Sequence, residues 1–464
     1  MKIFQGGIEI AGQMGLFSKG LSQLGHQVSA YNTFTSYLGY YQNIQNLTSY
    51  ELQGIFENTK SDYDVVHLHY AWPITENLQE LRTLQEQGKV VLMHYWGNDV
   101  RTLAVAARHN PYARLIGDAE YVDPSLIEQR LRSQSQVIPA CIVQDFEVVP
   151  YVSEYFKRVY VLPVTVDLAG IIPSGPRATT VPLVIHAPTL PEFKGTAIIE
   201  GVIDRLRNEG YVFRYERIHG LEHTEALRRY GEADIFVDQI LAGSYGVFAL
   251  EGMALGKPVL SYVREDLQYH FGPSLPIQSA NPATLYEALR RLLVSAELRR
   301  EVGSAGRQYV EQVHGLQVVA RKLDWIYQQE RLLSQANYSM DATLPSVIDL
   351  FGMQMDLQAP SRPNEQRSPK LGNVVPLTAK KRAKKNTNRR GRRKPTRSTN
   401  KVVQLATVRK MGGKTRRAGK PKVGGSGAKT STARGRGKSK QRARSLTPAT
   451  RRAKAAIASR RRRT

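Results

Sequence analysis

The strongest constraint on the fold is a rhythm of short, almost wholly apolar runs, each followed by a stretch with helical periodicity. Asp64-Val-Val-His-Leu-His-Tyr70, Val90-Val-Leu-Met-His-Tyr95 and Val137 to Val143 hold too few polar residues for strands wetted on one face. Helices must therefore cover both faces of a parallel sheet. The same series contains Met1 to Phe4, an amphipathic segment from Gly12 to Leu24, Gln27 to Tyr31, and helices near Glu76 to Gln87 and Ser125 to Ser133. It ends at Val159-Tyr-Val-Leu-Pro163, before a stretch rich in Pro, Gly and small residues from Val166 to Thr180 that reads as a linker.

A second series repeats the rhythm. It runs through Leu183 to His186, a helix Ala197 to Asn208, Tyr211 to Ile218, a helix Thr224 to Tyr230, Ile235 to Val237, a helix Val247 to Leu255 and Pro258 to Val263. Amphipathic helices come next, near Pro282 to Leu293, Ala296 to Val313 and Leu316 to Leu333. The expected class is α/β, with two doubly wound, Rossmann-like domains at 1–165 and 181–336 joined by the linker 166–180. In 337–360, the apolar Leu344, Val347, Ile348, Leu350 and Phe351 are expected to form a linker or short helix that packs on the body or joins a partner.

Charge separates this body from the C-terminal tail. Of 66 Lys+Arg and 40 Asp+Glu in 464 residues, 36 and one fall in 361–464, leaving 30 and 39 in the body. The tail has no Phe, Trp or Tyr, so it cannot bury enough apolar surface to offset its ordering entropy and is expected to be disordered when free. Cys141 is the single cysteine, which excludes an intramolecular disulfide and a Cys-based structural zinc site. Neither a signal-like opening nor about 18 consecutive apolar residues occurs, so a cytoplasmic protein without a transmembrane segment is expected.

Chemistry concentrates in Asp234-Ile-Phe-Val-Asp-Gln-Ile-Leu-Ala-Gly-Ser-Tyr-Gly-Val-Phe-Ala-Leu-Glu-Gly-Met-Ala-Leu-Gly-Lys-Pro-Val-Leu260. A strand ends, a loop with Gly243 and Gly246 lets the backbone come close, and a helix starts with free N–H groups toward the crevice. Such a corner suits phosphate. Glu251, just over one turn into the helix, can accept hydrogen bonds from ribose hydroxyls. An ordinary loop, with an acid favourable early in a helix, fits the same residues.

The pattern Gly-x-x-Gly-x-x-x-x-Glu-x-Met-Ala-x-Gly-Lys-Pro-Val resembles the signature of the retaining family 4 glycosyltransferases, enzymes of the two-domain GT-B fold. His186-Ala-Pro-Thr-Leu-Pro-Glu-Phe-Lys194-Gly195-Thr196 resembles their donor-phosphate segment, and Val161 to Asp167 their interdomain stretch. Gly6-Gly7 with Ala11-Gly12-Gln13 resembles the glycine-rich first loop, and His94-Tyr-Trp-Gly97-Asn98-Asp99-Val-Arg101 the loop carrying the active-site histidine. The resemblance covers roughly residues 1 to 333.

It implies a GT-B fold with the two domains facing across a cleft, and transfer of a sugar from a nucleotide-diphosphate sugar with retention, without metal or other cofactor. It also implies residue roles. Lys194 and Gly195 would meet the donor diphosphate, and the loop Gly243, Ser244, Tyr245, Gly246 its phosphates. Glu251 would hold the ribose, His94 would lie at the reacting sugar, and Gly12 would let the first loop approach. Asp99 and Arg101 would serve the acceptor or organise their loop. Two departures stand out. The family's Glu-x7-Glu pair would put its first carboxylate at Gly243, and its arginine before the phosphate lysine is absent from Ala187-Pro188-Thr189-Leu190. Asp238 and Gln239 are candidates to replace the missing carboxylate.

Other residues read as structural. His67 and His69 share a strand face and are expected as a packed or cleft-lining pair rather than a metal site. Asp62-Tyr-Asp64 reads as a solvated strand start, and Cys141 as a small core residue. The tail clusters Lys380 to Lys385, Arg389 to Lys394 and Arg460 to Arg463 suit a polyanion bound through counterion release. That partner would be nucleic acid, an anionic membrane surface, or an acidic protein or glycopolymer. The departures also support a second reading: a catalytically degenerate GT-B scaffold acting as a nucleic-acid-binding or assembly protein through its tail.

Overall fold

Each of the long apolar runs forms a strand whose side chains are covered on both faces. In the computed structural model, which describes residues 1–75, 78–117, 120–272, 275–335, 346–354 and the backbone of 374–376, these strands build two sheets. The first takes β1 (Lys2–Gly7), β2 (Gln27–Asn32), β3 (Gln45–Asn46), β4 (Val65–His69), β5 (Val90–Tyr95), β6 (Ala140–Val143) and β7 (Arg158–Val161). The second takes β8 (Leu183–His186), β9 (Arg214–Arg217), β10 (Ile235–Val237), β11 (Val259–Ser261) and β12 (Gln278–Ser279), in the order β12-β11-β10-β8-β9. All pairings among these strands are parallel. The α/β class and the two Rossmann-like sheets expected from the sequence are present.

The chain does not stay in the second half once it has left the first. The helix after β1 is α1 (Gln13–Gln23), and those of the second half include α2 (Thr196–Asn208), α3 (His223–Gly231), α4 (Val247–Ala254) and α5 (Leu316–Gln335). The last, expected to close the second domain, lies against α1, where Gly20 leaves room for Ala320. Its Tyr327 hydroxyl lies 2.7 Å from His67 Nδ1 on β4.

Residues expected as a linker or short helix instead form β13 (Ser346–Asp349), which joins the first sheet parallel to β7 with Val347 opposite Val159. β14 (Val374–Pro376) pairs antiparallel with β13, giving the order β14-β13-β7-β6-β5-β4-β1-β2-β3. Ser-Val-Ile-Asp is too short to show a helical period, and β7 offers a free row of backbone partners, so pairing decides the outcome. Of the tail, only the backbone of these three residues is described. The rest of 361–464, with its basic clusters, lies outside the described residues. Cys141 is fully buried on β6, as expected of a core residue.

Candidate active site

A cleft of about 430 Å³ opens between the C-terminal ends of the two sheets, where parallel α/β sheets hold their ligands. Its walls include Glu9, Asn98 and Arg101 from the first half and Lys194, Gln239 and Glu251 from the second. Aromatic rings, among them Tyr40, Tyr70, Trp96, Phe193 and Phe248, supply much of the remaining surface. Tyr70 has a left-handed backbone at φ 61°, a strained conformation that non-glycine residues hold only where the surroundings impose it.

On the second side, β8 runs into the single turn Pro191–Lys194, and Gly195 reverses the chain into α2. Gly195 has φ +78°, and a Cβ there would stand 2.8 Å from Ile240 Cγ1, so only glycine lets the β10 loop close over the turn. Its part is packing, and it does not line the cleft. Lys194 is turned inward: Nζ lies 2.6 Å from Asp238 Oδ1 and 5.5 Å from the centre of the Phe248 ring. The other carboxylate oxygen of Asp238 accepts the N–H of Gly246, at the start of α4, at 3.0 Å. One buried carboxylate thus gathers both groups expected to grip a phosphate.

Each oxygen of Asp238 carries one hydrogen bond, from Lys194 and from the Gly246 N–H at the start of α4. Gln239 lines the cleft while its Nε2 donates to the Ser244 carbonyl at 2.5 Å. Glu251 also lines the cleft, with Oε1 2.5 Å from His223 Nε2. Burial would lower the His223 pKa, but the hydrogen bond and charge of Glu251 outweigh it and raise it. The Tyr40 ring, 4.7 Å away, covers this pair from the first half.

Of the loop Gly243 to Gly246, Tyr245 and Gly246 line the cleft and Gly243 and Ser244 do not. Ser244 Oγ donates to Asp145 Oδ2 at 2.7 Å, tying the loop to the first half. The Tyr245 hydroxyl turns away to Tyr309 and His314 Nε2, at 3.2 and 3.0 Å. Gly243 has φ +91°, and a Cβ there would meet Arg264 Cγ at 2.7 Å. The position that the family pattern fills with glutamate is occupied by the stem of Arg264, whose guanidinium pairs with Asp266.

On the first side, Gly12 caps α1 beside Tyr40. The helix end is closed by Glu9, whose carboxylate accepts the N–H groups of Met14 and Gly15 at 3.3 and 2.9 Å. Burial pushes the Glu9 pKa up to about 7 against the lowering effect of those N–H groups. Arg101 lines the cleft, held by Glu147 at 2.6 Å and by Asn98 at 2.9 Å, with its guanidinium 5.2 Å from the centre of the Phe193 ring across the cleft. Asp99 accepts the Trp96 N–H at 2.9 Å and organises the loop from beneath. Burial raises its pKa to about 6.

His94 does not take the place that the sequence pattern implied. On β5, which spans the run read as a strand, His94 is fully buried, stacked on Trp96 with ring centres 4.0 Å apart, and does not line the cleft. Lys194, Gly246 and Glu251 come together in the cleft, with Arg101 opposite. Sequence reasoning missed Glu9, Tyr40 and His223. An acid just ahead of a helix was a readable signal for Glu9, whereas His223 meets Glu251 only through tertiary packing.

By sequence, the chain matches no profile of a known family and no curated protein. By structure it is similar to the sucrose-phosphate synthase of Thermosynechococcus elongatus, with a TM-score of 0.51 and 15% identity over 71% of this chain and 98% of that one. It is equally similar to a glycosyltransferase of Rickettsia africae, at TM-score 0.51 and 12% identity, again over 71% and 98%. The fold is GT-B. Among the described residues of this GT-B chain, no helix is long and apolar enough to cross a membrane.

Proposed function

We propose that this protein transfers a sugar from a nucleotide-diphosphate sugar to an acceptor, in the cleft between its two sheets. The observation that carries the reading is the convergence of Lys194 Nζ and the Gly246 N–H on a single carboxylate, with Glu251 one turn further along α4. A cation and a helix N-terminus that already hold a carboxylate are chemically suited to a diphosphate. When the donor arrives, Lys194 turns from Asp238 to the leaving phosphate and neutralises the charge that develops there. Glu251 accepts the ribose hydroxyls, and Arg101 and Asn98 face the sugar or acceptor from the other wall. Reaction is with retention, the leaving phosphate assisting deprotonation of the acceptor on the same face, and no metal is used at the diphosphate. His94 takes no direct part.

The test is thermal stabilisation of the full-length protein by a panel of nucleotide sugars, with Lys194→Ala and Glu251→Ala as controls. A donor that stabilises the parent and neither control, and whose sugar appears on an acceptor, supports the reading. No stabilisation by any donor sinks it.

One observation favours the alternative of a degenerate scaffold: the glutamate position at Gly243 is filled by Arg264, and the phosphate donors are satisfied internally by Asp238. In that case the work falls to the basic tail, which we propose binds a polyanion in either reading and brings the protein to an anionic surface. Its binding should weaken steeply with salt, and a salt-insensitive association would contradict it.

A further inference from the structure

The first sheet carries a buried row of polar side chains that the cleft does not use. His67 on β4 lies in register with Gln5 on β1, and His69 with His94 on β5, which puts all four residues on one face of the sheet. Phe17 of α1 stacks over the three imidazoles, with ring centres 5.9 to 6.5 Å away. Tyr327 of α5 closes the side. The imidazoles are 0 to 1% exposed, and Gln5 is fully buried.

Seven polar atoms in this row have no hydrogen-bond partner among the described residues: both of Gln5, both of His69, both of His94, and His67 Nε2. Leaving a buried polar atom unsatisfied costs about 1–3 kcal/mol. Such a concentration, in one layer and screened from the cleft by the Trp96 ring, calls for an occupant that takes nitrogen lone pairs.

We propose that His67, His69 and His94 bind a divalent first-row transition ion, Zn²⁺ in the first instance. One ring nitrogen from each residue already lies within 4.8 Å of the others. A tetrahedral ion with nitrogen at about 2.0–2.1 Å needs them about 3.4 Å apart, so the imidazoles, which lie within 8 to 30° of parallel, must turn within their aromatic packing to aim their lone pairs at one point; no hydrogen bond among the described residues opposes that turn at His69 or His94. The Tyr327 hydroxyl on His67 Nδ1 fixes that ring and leaves Nε2 as its ligand atom, the usual outer partner of a metal-bound histidine. Three neutral donors without thiolate fit Zn²⁺, Co²⁺, Ni²⁺ or Cu²⁺ and not Mg²⁺ or Ca²⁺. Water, or Gln5 Oε1 from the adjoining strand, takes the fourth position. The ion ties β4 to β5 beneath α1 and α5, at the base of the loop that presents Asn98 and Arg101.

The test is metal analysis of the full-length protein, produced in zinc-replete medium and purified without immobilised metal. Close to one equivalent of zinc is expected. Refolding in Co²⁺ should give the visible bands of a tetrahedral nitrogen site, and removing the ion should lower Tm by about 5 °C or more. His69→Leu and His94→Leu, which keep an apolar core, should carry less than about a tenth of an equivalent. Wild-type protein with no transition ion and no cobalt bands overturns the proposal, whether or not the variants fold, and so does full metal content in a folded His69→Leu, His94→Leu double variant.

Discussion

Two helix N-termini, those of α1 and α4, face the same cleft, and each is closed by a carboxylate of the protein itself. At α1, Glu9 receives only backbone N–H groups and sits against a pKa raised to about 7. At α4, Asp238 accepts one backbone N–H, from Gly246, on one oxygen and the ammonium of Lys194 on the other. The difference lies in the cation. The α1 end is a closed cap in which a buried acid is tolerated, whereas the α4 end is an ion pair whose cation can exchange one anion for another. In the function proposed above, it is the second of these two helix ends that receives the donor's phosphate.

The largest expected effect breaks the α4 pair. Lys194→Met keeps the apolar stem against Phe248 but strands Asp238, and should cost about 3–5 kcal/mol in chemical denaturation, the usual toll for removing one partner of a buried pair. Adding Asp238→Asn should restore most of that stability without restoring donor binding. If Lys194→Met alone unfolds like wild type, the ion pair is not the distinguishing feature of this end.

The α1 end gives the next largest effect, and it depends on pH. The folded state holds the Glu9 proton more tightly than the unfolded chain, with a pKa of about 7 against an ordinary 4.5. This group's contribution is therefore most favourable below about pH 4.5 and is lost as pH rises through 7, by up to about 3 kcal/mol. Glu9→Gln should remove that slope, so the stability difference between variant and wild type should grow in the variant's favour from pH 5 to pH 8. A difference independent of pH would mean that Glu9 is charged in the folded protein across this range.

The smallest effect concerns the acid further along α4. His223 holds Glu251, so under the proposed function it competes with the donor's ribose, most strongly when protonated. His223→Ala should tighten donor binding by about two- to five-fold, the worth of one modest hydrogen bond. The decline in affinity expected of wild type on acidification should be weaker in the variant, because Glu251 raises the His223 pKa above its ordinary value. Looser binding by His223→Ala would instead make His223 part of the donor site.

Much of this arrangement could be read from the chain. Runs such as Val90 to Tyr95 must be covered on both faces, and Gly246 followed by Glu251 marks a loop that opens a helix. What escaped reading was set by pairing and by which way a side chain turns. Ser346 to Asp349 becomes a strand because β7 awaits a neighbour. His94 lies in a run that reads as a strand, and only the packed structure shows its ring buried under Phe17 and behind Trp96. The carboxylate missing at Gly243 is legible, but the Arg264 stem that fills its space comes from a segment some twenty residues later and carries no local signal.

The placement of β13 bears on the order in which the protein can be made. β7 has no outer neighbour until residues 346–349 leave the ribosome, by which time the whole second sheet has been synthesised. The histidine row, likewise, is not sealed by Tyr327 until α5 is made. During synthesis the first half is therefore an unfinished sheet, with its interior open on the side that α5 later covers. An ion destined for that interior has the interval between β5 and α5 in which to enter, and little opportunity afterwards.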